Sequence, residues 1–263
     1  MDHVRKIVVW NVRGLNSRIR RYAVRSLIET TGATIACFQE TKMDFICSSV
    51  LLDTLGSEFD DYVYLPALGT RGGILLARKS RSVSITDPTF STNALTAKVA
   101  LGTATPWWLT VVYGPRDEAA KISFLQEHRD IRVGCPGPWM LCGDFNLIYR
   151  DEDKNNSNLH RRMMGRFRRV INELALKEVY LNGAATLGRM SSSPTPASCT
   201  STDSYAPWTG RKHMLHVTFV AWLRSFPITA RCCWTVSPCV PLNIASASRI
   251  SGCGSTASTT RST

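Results

Sequence analysis

Four stretches of this 263-residue sequence set an acid, an amide or a phenol directly after an apolar run. They are Asn11 in VVWNVRGLNS, Glu40 in ACFQETK, Tyr113 in TVVYGPRD, and Asp144 with Asn146 in MLCGDFNLI. Carboxylate oxygens suit a hard divalent cation, and amide and hydroxyl donors suit a transition state that gathers negative charge. Each residue also has an ordinary reading. Asn11 can cap a turn, Glu40 can be a surface acid, and Tyr113 can be a core aromatic with its hydroxyl satisfied. Asp144 and Asn146 flank Phe145, so in an extended chain they point to one side and the ring to the other.

The elements that must position these residues follow from periodicity. Residues 6–11 (KIVVWN) form a short apolar run suited to a buried strand, and residues 34–38, 62–65, 73–78, 107–113 and 138–143 read the same way. Ser17 is placed to cap a helix over residues 18–31, whose Ile19, Tyr22, Ala23, Leu27 and Ile28 share one face. A second helix is expected over 117–130. A third is expected over 160–178, where Met163, Phe167, Ile171 and Leu174 recur at spacings of three and four. The order is mixed α/β, with the polar candidates just past strand ends, where layered α/β folds gather their sites.

Hydrophobic content of 44% and charged content of 20% mark a globular chain and exclude wholesale disorder. No apolar run approaches the roughly 20 residues needed to span a bilayer. No secretory h-region follows the N-terminus, so a nuclear or cytoplasmic location is expected, with no secretion and no membrane partner. Nine cysteines without a CxxC pair fit a reducing compartment better than a disulfide framework or a zinc ribbon.

Taken together and in this order, the motifs are specific. Residues 4–183, with NVRGLNS, QETK, GGILLA, YGPRD, GDFNLI and RRMMGRFRR, resemble the endonuclease/exonuclease/phosphatase superfamily, and within it the endonuclease domain of plant LINE-type (non-LTR) retrotransposons. The resemblance implies an α/β fold of two β-sheets packed as a sandwich and flanked by helices. It also implies Mg²⁺-dependent nicking of DNA that leaves a 3′-hydroxyl, with Mn²⁺ as a substitute cation, by a monomeric protein. Glu40 matches the family's metal-binding carboxylate, and Asn11 the residue supporting it. Asp144 matches the acid that orients or deprotonates the attacking water. Asn146 and Tyr113 match the groups that contact the scissile phosphate. The arginines Arg13, Arg18, Arg20, Arg21 and Arg25, and Arg161, Arg162, Arg166, Arg168 and Arg169, are candidates to neutralise DNA phosphates, or simply solvated helix faces.

After Gly183 the style of the chain changes. Residues 184–263 hold seven basic residues and one acid, Asp203, and contribute half of the net charge of +12. Serine and threonine make up 26 of those 80 residues, and five of the nine cysteines lie there. Family members continue with Arg-Tyr-Thr-Trp, then Ile-Asp-Arg, then a late Ser-Asp-His whose Asp and His sit on the phosphate. None of these occurs in residues 184–263, and His213 and His216 stand in an unrelated context, RKHMLHV. Yet joining the third base of each codon to the first two bases of the next permits all three motifs, in family order and in one frame. Thr200–Asp203 permits Ile-Asp-Arg, and Phe226–Thr229 permits Ser-Asp-His; Trp208-Thr209 forces Asp, and Arg231–Thr235 permits one Leu and then forces Leu-Leu-Asp. The expectation is therefore an incomplete domain over 4–183, followed by an out-of-frame, largely disordered Ser/Thr/Cys-rich tail over 184–263. Within the tail, MLHVTFVAWL (214–223) is apolar enough to pair opportunistically.

Three functions compete on this reading. The first is a DNA endonuclease with activity impaired or lost, the second a non-catalytic nucleic-acid-binding remnant, and the third a phosphoesterase of the same superfamily.

Overall fold

The computed structural model describes residues 5–69, 72–149, 160–178, 220–224 and 232–234. β1 (Arg5–Asn11) and β2 (Ile35–Gln39) lie parallel, with Asn11 opposite Gln39, and α1 (Arg18–Thr31) makes the crossover. Gly32, in the left-handed region at φ 65°, ends that helix and returns the chain to the sheet. After α2 (Ser48–Leu55), β3 (Asp61–Leu65) and β4 (Ile74–Arg78) complete the antiparallel side.

The second sheet begins as a meander of β5 (Ser84–Phe90), β6 (Ala94–Ala100) and β7 (Trp107–Tyr113). Then α3 (Glu118–Gly134) carries the chain over to β8 (Trp139–Asp144), parallel to β7 with Tyr113 opposite Asp144. α4 (Arg161–Glu173) and a two-residue β9 (Lys177–Glu178) follow. Two short strands from the C-terminal part join this frame. β10 (Val220–Arg224) runs antiparallel to β8, and β11 (Cys232–Trp234) runs parallel to β1. The sheets are thus ordered β11-β1-β2-β4-β3 and β5-β6-β7-β8-β10-β9.

Alternation along the strands builds four layers. Ile7, Val9, Cys37 and Leu76 of one sheet face Leu95, Leu109, Val111, Met140 and Cys142 of the other in one buried cluster. The opposite parity of the first sheet, Val8, Trp10, Phe38 and Leu75, packs on Val24 and Ile28 of α1 and on Val50, Leu51 and Leu55 of α2. The outer face of the second sheet, including Val112, Trp139 and Leu141, packs on Phe124 and Leu125 of α3 and on Met163, Phe167 and Ile171 of α4. Burial on both faces is why the strands read as continuous apolar runs. The expected sandwich of two sheets with flanking helices is the observed architecture.

Some local expectations need correction. α1 spans the expected residues, but it buries Val24, Ile28 and Thr31 while Ile19 and Tyr22 are about half exposed. The face is rotated because α1 packs on α2, where Arg18 and Arg21 both reach Asp53. α4 stops at Glu173, short of 178, and Ala175 takes a left-handed φ of 51° before β9. β5, β6 and α2 were not anticipated. Within 184–263 the described structure is β10 and β11; the disorder expected there otherwise lies outside the described residues, as do His213 and His216. Among the described residues, no helix is long and apolar enough to cross a membrane.

Candidate active site

Parity also aims the polar residues. Asn11 continues the Ile7–Val9 face of β1, Tyr113 the Leu109–Val111 face of β7, and Asp144 the Met140–Cys142 face of β8. All three side chains therefore leave their strands on the inner faces of the sandwich, at the carboxyl ends of two parallel pairs, where the core gives out. There the sheets meet. The Asn11 side-chain amide donates to Asp144 Oδ2 at 2.8 Å, and Asn11 is only 8% exposed. Its Oδ1 accepts from the Arg13 backbone amide at 3.2 Å, which fixes the orientation of the side chain.

Glu40 follows β2 in a left-handed conformation, φ 55°, and is 7% exposed. Burial alone would raise its pKa, but a hydrogen bond from Lys42, another from Asn11, and the charges of Lys42 and Arg116 outweigh that and hold it below the usual value. The carboxylate is thus kept ionised in a nearly closed place. Tyr113 leans the other way. Burial, and next the Glu40 charge, push its phenol up to about 12, so at neutral pH it is a hydroxyl that donates to Glu40.

The β8 exit is a tight turn. Asp144 Oδ1 accepts from the Asn146 backbone amide at 3.0 Å, and the Asn146 side-chain amide donates to the Gly114 carbonyl at 2.7 Å. Asn146 sits at φ 49°. Phe145 turns the other way, into the cluster with Phe124, His128 and Phe167. A Cβ on Gly114 would lie 2.0 Å from the Phe145 carbonyl oxygen, so these two strand exits close up only because residue 114 is glycine. Gly72 does the same beside Glu40, since a Cβ there would lie 2.8 Å from Glu40 Cα and from Tyr113 Cε1. Four of the six non-glycine residues with positive φ among the described residues, Arg13, Glu40, Lys42 and Asn146, belong to this cluster. Backbone strain of about 1–3 kcal/mol per residue gathers at functional sites.

The structure therefore brings Asn11, Glu40, Tyr113, Asp144 and Asn146 together. The expected DNA-contacting arginines are more scattered. Arg13 is exposed beside Asn11, and Arg18 pairs with Asp53 at 3.3 Å and lies over the Tyr22 ring. Arg161 and Arg162 are exposed at the start of α4, which His160, 3.9 Å from Glu118, brings to the start of α3. Arg21 and Arg25 are engaged by Asp53 and Glu29, and Arg168 by the Tyr149 carbonyl. Lys42 and Arg116, both reaching Glu40, were not singled out in the sequence, although they stand in QETK and YGPRD.

Among the described residues no three His, Cys, Asp or Glu side chains gather into a metal cage. One buried ionised carboxylate with amide and carboxylate neighbours still fits Mg²⁺, which takes one or two protein carboxylates and fills its octahedron with waters and phosphate oxygens.

The sequence profile described as the Endonuclease/Exonuclease/phosphatase family matches residues 8–240. No curated protein sequence matches the chain significantly. Among solved structures, the endonuclease domain of TRAS1, a telomere-specific non-LTR retrotransposon, superposes with a TM-score of 0.51 at 15% identity, covering 66% of this chain and 73% of that one. The AP endonuclease LMAP from Leishmania major gives 0.49 at 18% identity, over 65% and 67% of the two chains. The human Nocturnin catalytic domain gives 0.49 at 15%, over 86% and 88%. The profile match spans most of the chain and takes in strands of both sheets, and the chain belongs to the endonuclease/exonuclease/phosphatase family.

Proposed function

We propose that this chain descends from the Mg²⁺-dependent DNA endonuclease of a plant LINE-type retrotransposon and retains the first half of its active site without the second. The observation that carries the reading is the Asn11–Asp144 hydrogen bond, which joins the two sheets where Glu40, Tyr113 and Asn146 converge. In this reading Glu40 holds the cation, with Mn²⁺ able to replace Mg²⁺, and Asn11 steadies the carboxylate. Bound there, the cation supplies Lewis-acid polarisation of a phosphate oxygen. Asp144 orients or deprotonates water, while the Asn146 amide and the Tyr113 hydroxyl donate to phosphate oxygens as charge builds.

The second half is missing from the reading frame. Residues 184–263 carry no Asp-His pair, and the shifted frame permits every missing motif in family order. A frameshift just after Gly183 accounts for the acid-poor tail and leaves 4–183 as the intact part of the domain. Backbone pairing requires an extended chain rather than particular side chains, so β10 and β11 fit beside β8 and β1 whichever frame is read. Loss of a catalytic histidine alone costs about 10²–10⁴-fold, so activity is impaired or lost. What remains then binds DNA without cutting it, and the exposed Arg13, Arg161 and Arg162 favour that second reading.

The test is a supercoiled-plasmid nicking assay with and without Mg²⁺, with Glu40→Ala as the control and a soluble phosphoester assayed alongside. The expected result is salt-sensitive DNA binding with no nicking above the control. Mg²⁺-dependent nicking that Glu40→Ala abolishes would mean that residues 184–263 complete the site. Turnover of the soluble phosphoester without DNA binding would overturn the DNA reading.

A further inference from the structure

Outside the strand-end cluster, the close ion pairs seen among the described residues join cations to carboxylates other than Glu40. Arg18 and Arg21 share Asp53, Arg25 has Glu29, Arg78 has Asp61, Lys79 has Glu58, Lys121 has Glu118 and Arg129 has Glu173. Lys42 and Arg116 differ. They approach opposite oxygens of the one carboxylate at the candidate site, Lys42 Nζ at 3.1 Å from Glu40 Oε1 and Arg116 Nη2 at 3.9 Å from Glu40 Oε2. Their side chains are 52% and 77% exposed over a carboxylate that is 9% exposed. They cover a buried carboxylate, and an exposed ammonium and guanidinium carry more donors than that one carboxylate takes up. Lys42 takes a left-handed φ of 55° to reach inward, a conformation that costs a lysine energy.

A third cation continues the line. Arg20 reaches back from α1 to donate to the Arg13 carbonyl at 3.1 Å. A Cβ on Gly14 would lie 3.3 Å from Arg20 Nη1 and 3.4 Å from Lys42 Cδ, so Arg20 and Lys42 pass directly over that glycine. Asp117, next to Arg116, is turned away as the cap of α3, accepting from the Ala120 amide at 2.9 Å. The three cations thus run from Arg20 across the mouth of Glu40 to Arg116.

From this we infer that Arg20, Lys42 and Arg116 form a phosphate track for one strand of duplex DNA, with Arg116 contacting a phosphate beside the one presented to Glu40. The inference rests on the DNA reading above. It gives the site a direction that the scattered helix arginines do not, because the strand must cross the sandwich edge from α1 to the start of α3. Arg116 is a positioning residue here. It binds the strand and takes no part in bond breaking.

The experiment is fluorescence anisotropy of a labelled duplex with the full chain in EDTA, titrated at several salt concentrations. Each phosphate contact contributes about 0.9 to the slope of log K against log salt. Arg116→Ala is expected to flatten the slope by about 0.9, and Arg20→Ala with Arg116→Ala by about 1.8. Arg81→Ala is the control: Arg81 is exposed and follows β4, whose C-terminal end pairs with the start of β2, far from Glu40. Its slope should match the unaltered chain. Unchanged slopes in Arg116→Ala and in the double variant, with the unaltered chain binding, would overturn the phosphate track and leave the DNA reading standing. Absence of salt-dependent binding by the unaltered chain would instead sink the DNA reading itself.

Discussion

The side-chain amide of Asn11 donates a 2.8 Å hydrogen bond to Oδ2 of Asp144, and these two residues end strands that belong to different sheets. The bond is the polar continuation of the apolar contact between Val9 and Cys142 faces that holds the sandwich together. It ties the part of the site near Glu40 to the part near Asn146. Asn11→Ala should leave Asp144 short of a donor and destabilise the fold by about 1–3 kcal/mol. Urea denaturation followed by tryptophan fluorescence checks this; an unchanged midpoint would mean that the bond carries no strain or stability between the sheets.

Two glycines should respond in opposite directions. Gly72→Ala drives a methyl against Glu40 and Tyr113, and is expected to cost about 1–3 kcal/mol and to displace the carboxylate. Gly165 lies inside α4, where a Cβ meets nothing within 4 Å. There Gly165→Ala should stabilise by about 0.5–1 kcal/mol through helix propensity. Thermal melts of both variants separate a packing constraint at the site from an unconstrained glycine.

His128 supplies a pH dependence. Its Nδ1 faces the Phe124 carbonyl at 2.5 Å, which requires the proton on Nδ1. Nε2 is then a buried acceptor with no partner among the described residues. Burial pushes its pKa down from 6.5 to about 4. The unfolded chain binds a proton below 6.5 that the folded chain refuses until about pH 4, so stability falls as pH drops through that window, by about 3 kcal/mol in all. The difference in unfolding free energy between the unaltered chain and His128→Leu, measured from pH 7 to pH 4, isolates this contribution. A constant difference would show that His128 does not titrate on unfolding.

Cation binding tests the carboxylate directly. Mn²⁺ titrated into the chain and followed by electron paramagnetic resonance should bind with affinity at least tenfold weaker in Glu40→Gln, which removes the charge and keeps the shape. Lys42→Ala should strengthen binding, because its ammonium competes for Glu40 Oε1. Equal affinity in Glu40→Gln would place the cation elsewhere.

How much of this was legible depended on which physics governed each element. β7 and α1 were bounded correctly, because apolar runs and helical spacing stop at clear punctuation such as Gly32 and Gly114. The inner-face placement of Asn11, Tyr113 and Asp144 follows from parity alone. β5 was illegible because it is a largely exposed edge strand interrupted by Asp87-Pro88, where its register to β6 shifts. α2 is only eight residues, too short for periodicity to speak. The rotated face of α1 depended on Asp53 of a helix the sequence had not revealed. Lys42 and Arg116 were hidden by their ordinariness, since a single surface cation carries no signal until the carboxylate it faces is known.

The central claim, a nuclease site cut in half by a shifted frame, is tested most directly by restoring the frame. The coding DNA after the Gly183 codon would be shifted by one base, so that the late Ser-Asp-His is translated, and both chains compared in the supercoiled-plasmid assay with Mg²⁺. The account predicts that the frame-restored chain nicks at least 10²-fold faster than the original, and that Glu40→Ala removes that activity. Coding DNA that does not spell the missing motifs, or a restored chain no more active than the original, would contradict it.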